Sequence, residues 1–287
     1  MEPERWILSL MCRDRTGIVA AVSGALTEQG GFILDSQQYA DLESGRFFMR
    51  ICFQSAGEGG LSDLAGWRAH FAPLAERFEM ELELTRAGDK PRVLVAVSKG
   101  SHCLSDLLYR QRSRSLAVEI AVVVSNHDDL REIADWHGVP FHHLPVSDAN
   151  RTEQEAAIEA LMDDYGASHL ILARYMQVLT QGFADRMKAR CINIHHSFLP
   201  GFKGANPYAQ AFERGVKLIG ATAHFVTGDL DEGPIIAQAV EPVDHRDSER
   251  SMIRSGRDIE ARVLAKAVNA VGERRLFLNG ARTVVFE

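Results

Sequence analysis

A chain of 287 residues that is 46% hydrophobic and 25% charged, with a formal net charge of −7, has the composition of an ordinary globular protein and is long enough for two domains of unequal size. Eight basic residues meet 13 acidic ones over 1–86, and 24 meet 26 over 87–287, so neither part offers a basic face for nucleic acid. No apolar run reaches the length of a membrane span, the opening Met1-Glu2-Pro3-Glu4-Arg5 lacks the pattern of a signal peptide, and Cys12, Cys52, Cys103 and Cys191 form no CxxC pair; the expectation is a cytoplasmic protein with reduced thiols and no structural zinc.

Trp6 to Met11, Phe32 to Asp41 and Arg46 to Gln54 read as strands, and Gly17 to Gln29 has helical spacing through Ile18, Val22 and Leu26. Leu61 to Phe78 supplies a second helix and Glu79 to Thr85 a last strand, in which Glu79, Glu81 and Glu83 alternate with Met80, Leu82 and Leu84. That alternation predicts one solvated sheet face. The order βαββαβ, with Asp14-Arg15-Thr16-Gly17-Ile18 between the first strand and helix, resembles the ferredoxin-like ACT domain over 1–86. The resemblance implies a regulatory or oligomerisation module, a homo-oligomer such as a tetramer, and an amino-acid effector of the glycine or methionine class at Asp14, Thr16, Gly17 and Gly30. Free N–H groups at the start of the Gly17 helix suit a carboxylate, and Gly30 permits close backbone approach. Helix capping by Asp14 and Thr16 accounts for the same residues without a ligand.

Arg86-Ala87-Gly88-Asp89-Lys90-Pro91 is a polar linker closed by proline, and a second domain over 91–287 follows it. Val93 to Val97, Val118 to Ser125, Pro140 to Leu144 and Ser168 to Leu172 are apolar strands separated by helices at Cys103–Arg112, 128–137 and 153–165, the pattern of a doubly wound, mostly parallel Rossmann-like α/β sheet. Cys191 to His195 is a further short strand. Its side chains alternate, so Asn193 and His195 point the same way, roughly 6–7 Å apart, with Ile192 and Ile194 on the opposite face. An amide beside an imidazole suits a carbonyl that must become an oxyanion. Ile219 to Thr227 and Pro234 to Val243 read as two strands whose turn, Gly228-Asp229-Leu230-Asp231-Glu232-Gly233, can bring a carboxylate over that pair. His224 either orients Asp231 or is an ordinary core histidine. A capped helix from Ser248 to about Val271 covers the sheet with Met252, Ile259, Val263, Ala267 and Val271. His142, His143 and His245 lack metal-ligand spacing, and no metal site is expected.

The runs Ile192-Asn193-Ile194-His195-His196-Ser197-Phe198-Leu199-Pro200, Ala223-His224-Phe225-Val226 and Leu230-Asp231-Glu232-Gly233-Pro234 resemble the folate-dependent formyltransferase superfamily, whose catalytic Asn, His and Asp match Asn193, His195 and Asp231. Within it, the doubled histidine, the segment Phe202-Lys203-Gly204-Ala205-Asn206-Pro207-Tyr208 and the amino-terminal extension resemble the deformylases, which hydrolyse 10-formyltetrahydrofolate to formate and tetrahydrofolate. What the resemblance implies is a hydrolase of one-carbon metabolism that supplies formate for purine synthesis, with a folate substrate and no required cofactor. It also implies that Ala173 to Leu179 runs along the pterin, with Tyr175, Met176, Leu179, His224, Gly228 and Gly233 binding substrate. The turn Ser98-Lys99-Gly100-Ser101-His102 stands where glycinamide ribonucleotide transformylases carry a glycine-rich phosphate loop. Lys99 and His102 are expected to close that backbone nest, which disfavours the alternative of formyl transfer to an amine. A helix-capping role for His102 and a supporting role for His196 and Ser197 are the remaining expectations.

Overall fold

The computed structural model describes residues 4–55, 61, 63–201 and 207–287; the 202–206 part of the sequence motif lies outside them. The chain divides into two compact units, one of Met1–Asp89 with Glu273–Asn279 and Thr283–Glu287, the other of Lys90–Gly272 with Gly280–Arg282.

The first unit runs β1 (Arg5–Arg13), α1 (Ile18–Glu28), β2 (Gly31–Asp41), β3 (Arg46–Ser55), α2 (Leu64–Phe78) and β4 (Glu81–Arg86), in an antiparallel sheet of order β2-β3-β1-β4. This is the ferredoxin-like arrangement expected from the βαββαβ order. Trp6, Leu8 and Leu10 alternate onto the face that meets Ile18, Val22 and Leu26 of α1 and Trp67 and Phe71 of α2, and Phe53 packs edge-on against Trp67 at 4.8 Å between centroids. The opposite face is solvated at Glu79, Glu81 and Glu83, as expected, but is covered around Phe48. A terminal hairpin of strands Leu276–Asn279 and Arg282–Val285 belongs with this sheet: Phe277 and Phe286 pack on the fully buried Phe48, the Arg274 guanidinium lies 2.9 Å from Glu83, and Asn279 Nδ2 donates to the buried Asp41 at 2.6 Å. The expected second domain over 91–287 therefore gives up its last residues to the first unit. Phe277, Val284 and Phe286, too few to show a period, carry that return.

The second unit contains β5 (Arg92–Val97), α3 (His102–Arg112), β6 (Glu119–Ser125), α4 (Arg131–Trp136), β7 (Phe141–His143), α5 (Arg151–Asp164), β8 (His169–Leu172), α6 (Gln181–Arg186), β9 (Cys191–His195), α7 (Pro207–Glu213), β10 (Leu218–Phe225), β11 (Ile235–Pro242) and α8 (Glu249–Gly272). Its sheet order is β11-β10-β9-β8-β5-β6-β7, parallel from β9 to β7, with β10 and β11 antiparallel. The chain winds outward from β5 through β6 to β7, then returns to β8 on the other side. In such sheets the crevice beyond the carboxyl ends of the strands at that reversal is where ligands bind. The turn after β5, the loop after β8 and the end of β9 all open there. Val93 to Val97, covered on both faces, are buried throughout, as are Cys191 and Ile192. Among the described residues no helix is long and apolar enough to cross a membrane.

Candidate active site

Asn193, His195 and Asp231, 38 residues apart at the extremes, meet at the floor of one cavity of about 270 Å³. His195 Nδ1 lies 3.2 Å from Asp231 Oδ1, and the imidazole is only 5% exposed. Its Nε2 is buried without a hydrogen-bond partner among the described residues, which is costly unless that atom serves something else. Burial by itself raises the Asp231 carboxyl, but hydrogen bonds from His195 and His224 outweigh it and hold the group well below the ordinary carboxylate range. Asp231 reaches this position through a left-handed backbone, φ 58°, in the turn between β10 and β11.

His224 ties the third member to the first. Residue 224 of β10 pairs directly with residue 193 of β9, so their side chains are cross-strand neighbours. The Phe225 carbonyl accepts from the His224 Nδ1–H at 2.8 Å, and His224 Nε2 lies 3.4 Å from Asn193 Nδ2 and 3.7 Å from Asp231 Oδ1. His224 thus orients the amide as well as flanking the carboxylate.

The cavity wall is the stretch after β8. Met176 and Val178 are exposed on it, with Leu179, Val226, Gly228 and Leu230 around them. Tyr175 also lines the cavity, though its side chain is mostly in the core, where Gln154 Nε2 donates to its hydroxyl at 2.6 Å. Gly233 does not line the cavity: it packs on the Phe225 carbonyl, where a Cβ would come within 1.7 Å. The loop is pinned from α5, whose Arg151 donates to the Val178 carbonyl at 2.6 Å and whose buried Glu155 accepts from the Thr180 backbone N–H at 2.7 Å, while Ser98 Oγ accepts from the Met176 N–H at 3.0 Å. Arg151, Gln154 and Glu155 at spacing i, i+3, i+4 look like a solvent face in sequence; they are instead a rack for the loop. On the other side of the site, the fully buried Thr222 donates to the Ser197 carbonyl at 2.9 Å and accepts from the Leu199 N–H at 3.1 Å, so Ser197 and the loop after β9 are held from β10.

Sequence reading gave His196 no pocket, but it lines this cavity and a second one. Burial, helped by the charge of Arg174 and His195, pushes its pKa down to about 4, so it is neutral near pH 7. The second cavity, about 650 Å³, is bounded by Ser98 to His102, Asn126, Arg174, Tyr208, Arg257 and Glu260. Lys99 and His102 therefore do not close the space beside the turn; their side chains border an open chamber. His102 makes no cap on α3. Its Nε2 meets Glu260 Oε2 at 2.9 Å, and Glu260, 1% exposed, also accepts from the Tyr208 hydroxyl at 2.6 Å and faces Arg174 Nε at 3.3 Å. Burial works against this carboxylate, but these partners keep its pKa below the usual value. Gly256 makes the arrangement possible, since a Cβ there would lie 2.1 Å from the Tyr208 hydroxyl oxygen. His102, Cys103 and Glu260 bring ligand-type atoms within 4.8 Å of one another, but the guanidinium already neutralises Glu260 and burial raises the Cys103 thiol well above its normal value, a poor set for a cation.

Of the four residues named for an amino-acid effector, Asp14, Thr16 and Gly17 share the turn between β1 and α1, and Gly30 lies apart from them along the chain. Gly17 (φ 95°) starts α1 and Gly30 (φ 69°) follows its end, about 16 Å away along an eleven-residue helix. Asp14 and Thr16 are exposed, and neither side chain caps the helix. His142 is likewise remote from the catalytic cluster, with its Nε2 3.1 Å from the Tyr165 hydroxyl.

The formyl transferase family profile matches residues 91–268. The chain is 47% identical over 284 residues to a formyltetrahydrofolate deformylase of Corynebacterium sp. (strain P-1), covering 99% of each. The crystal structure of a formyltetrahydrofolate deformylase from Burkholderia mallei superposes with a TM-score of 0.94 at 48% identity, over 99% of this chain and 100% of that one. A glycinamide ribonucleotide transformylase from Symbiobacterium toebii matches with a TM-score of 0.65 at 33% identity, over 71% of this chain and 98% of that one. Similarity to the deformylases thus runs through both units, whereas the transformylase match is partial, and the chain belongs to the formyltetrahydrofolate deformylase family.

Proposed function

We propose that this protein hydrolyses 10-formyltetrahydrofolate to formate and tetrahydrofolate, a reading carried by the convergence of Asn193, His195 and Asp231 under an apolar-walled cavity in a chain of that family. The pterin lies along Met176 to Leu179, and the formyl oxygen sits between Asn193 Nδ2 and His195 Nε2, the buried atom without a protein partner. Asp231 fixes the His195 tautomer through Nδ1 and orders the attacking water. A carboxylate held this far below its ordinary range is a weak base, so its role is orientation and charge, and His195 is the group that carries the proton. As the water oxygen bonds to the formyl carbon, His195 Nε2 takes the water proton, and Asn193 with the now protonated His195 holds the oxyanion. His195 then gives that proton to N10 as the C–N10 bond breaks, and the formic acid released loses its own proton to solvent to become formate. Neutral His196 leaves the positive charge to His195.

The competing reaction is formyl transfer to an amine. Purified protein given 10-formyltetrahydrofolate alone should release formate stoichiometrically with tetrahydrofolate, at a rate unchanged by added glycinamide ribonucleotide. Turnover that waits for the nucleotide and yields its formylated form overturns the hydrolytic reading. The formate would serve purine synthesis in the cytoplasm.

The first unit is proposed to join subunits. β2 is an edge strand of eleven residues with Phe32, Leu34 and Tyr39 at 63%, 41% and 47% exposure, a template for pairing with a second copy. Phe32→Lys with Leu34→Lys should lower the mass seen by light scattering while the fold persists, and an unchanged mass rules this edge out. Deleting 1–86 is a poorer test, because it strips the terminal hairpin of the sheet that covers it.

A further inference from the structure

If water is the acceptor, the larger chamber beside the catalytic cluster needs another occupant. It shares Arg174, Met176, Gln177 and His196 with the cavity that holds Asn193, His195 and Asp231, so the two meet next to His195. Asp231 lines only the first cavity, whereas Lys99 and Arg257 line only the second. Both cations are exposed, and neither has an ion-pair or hydrogen-bond partner among the described residues. The chamber's carboxylates are Glu249 and Glu260, and Glu260 is already matched by Arg174 at 3.3 Å, which leaves two free cations against Glu249. Asn126, whose Oδ1 accepts from Ser98 at 2.7 Å, keeps its amide N–H groups for a further acceptor.

We propose that this chamber receives the formate anion as it leaves, with Lys99 and Arg257 forming a weak anion subsite on the way out; the inference rests on the hydrolytic reading. Cleavage of the C–N10 bond leaves formate with one negative charge while tetrahydrofolate still fills the apolar cavity. Ionised Asp231, beside the point where formate forms, repels it, and Lys99 and Arg257, two cations against one unmatched carboxylate, attract it from the chamber beyond His196. The chamber is much larger than formate, so the subsite holds it loosely and passes it to solvent.

The test is a sodium formate titration of the full-length protein followed by saturation-transfer NMR, in parallel with product inhibition by formate in the hydrolysis assay. In the Lys99→Ala/Arg257→Ala double variant the dissociation constant and the inhibition constant should both rise about fivefold or more, while Lys99→Arg with Arg257→Lys should keep wild-type values. Exposed positions make the double variant tolerable to the fold, which its melting temperature checks. Equal formate affinity in wild type and the alanine double variant overturns the proposal, as does wild-type protein that shows no formate binding. The NMR arm needs no turnover, so failure of the hydrolytic reading appears separately, as absent formate production with formate binding intact.

Discussion

Alanine at Asn193, His195 or Asp231 is expected to lower turnover by at least about a hundredfold each, with kcat and kcat/KM falling together, because each removes a contact that strengthens as the oxyanion forms. The three losses should not multiply. His195 is held by Asp231 at 3.2 Å, and Asn193 is oriented through His224, so the groups act as a unit. Asp231→Asn discriminates further: it keeps the shape but removes the charge that fixes the His195 tautomer, and should cost nearly as much as alanine. Single-turnover release of formate is the measurement. A variant within a few-fold of wild type would remove that residue from the chemistry, and a triple variant far worse than any single one would deny the coupling. The melting temperature of His195→Ala should stay level, since relieving a buried, partly unsatisfied imidazole offsets lost packing.

Gly233→Ala is expected to lower turnover as well, although the residue does not face the cavity. A methyl group there would lie 1.7 Å from the Phe225 carbonyl oxygen, the acceptor of the His224 Nδ1–H bond, and 3.3 Å from that nitrogen itself. Backbone cannot yield as a side-chain tip can, so the turn carrying Asp231 must move. We expect a loss of tenfold or more in kcat together with destabilisation of about 1–3 kcal/mol from overpacking. Gly228→Ala is the contrast. The atoms nearest its Cβ would be the tip of the exposed Gln181 side chain, held by a surface hydrogen bond to Asp185 at 3.0 Å and able to give way, so stability should change little. Comparable melting temperatures for the two variants would refute this account of Gly233.

Much of the site was legible in the sequence because the information is local. Side chains two apart on a strand share a face, which placed Asn193 beside His195 without any tertiary knowledge, and the βαββαβ order and the apolar strands of the second domain follow from hydrophobic period and turn residues. The family motifs carried Asp231 to the same place. What the sequence cannot encode locally is register and return. The pairing of 224 with 193 decides that His224 orients the amide, and it depends on how two antiparallel strands 31 residues apart align. Arg151, Gln154 and Glu155 have the helical spacing of a solvated face, and only the packing of α5 beside the loop after β8 turns them into its anchors. Lys99 and His102 suggested a closed turn because side-chain bulk was the visible property; His102 is instead drawn onto Glu260, 158 residues away, and both residues line an open chamber. The terminal hairpin covers the first sheet because Phe277 and Phe286 are too few to build a core of their own and find one at Phe48, and that long-range burial is set by the tertiary structure alone.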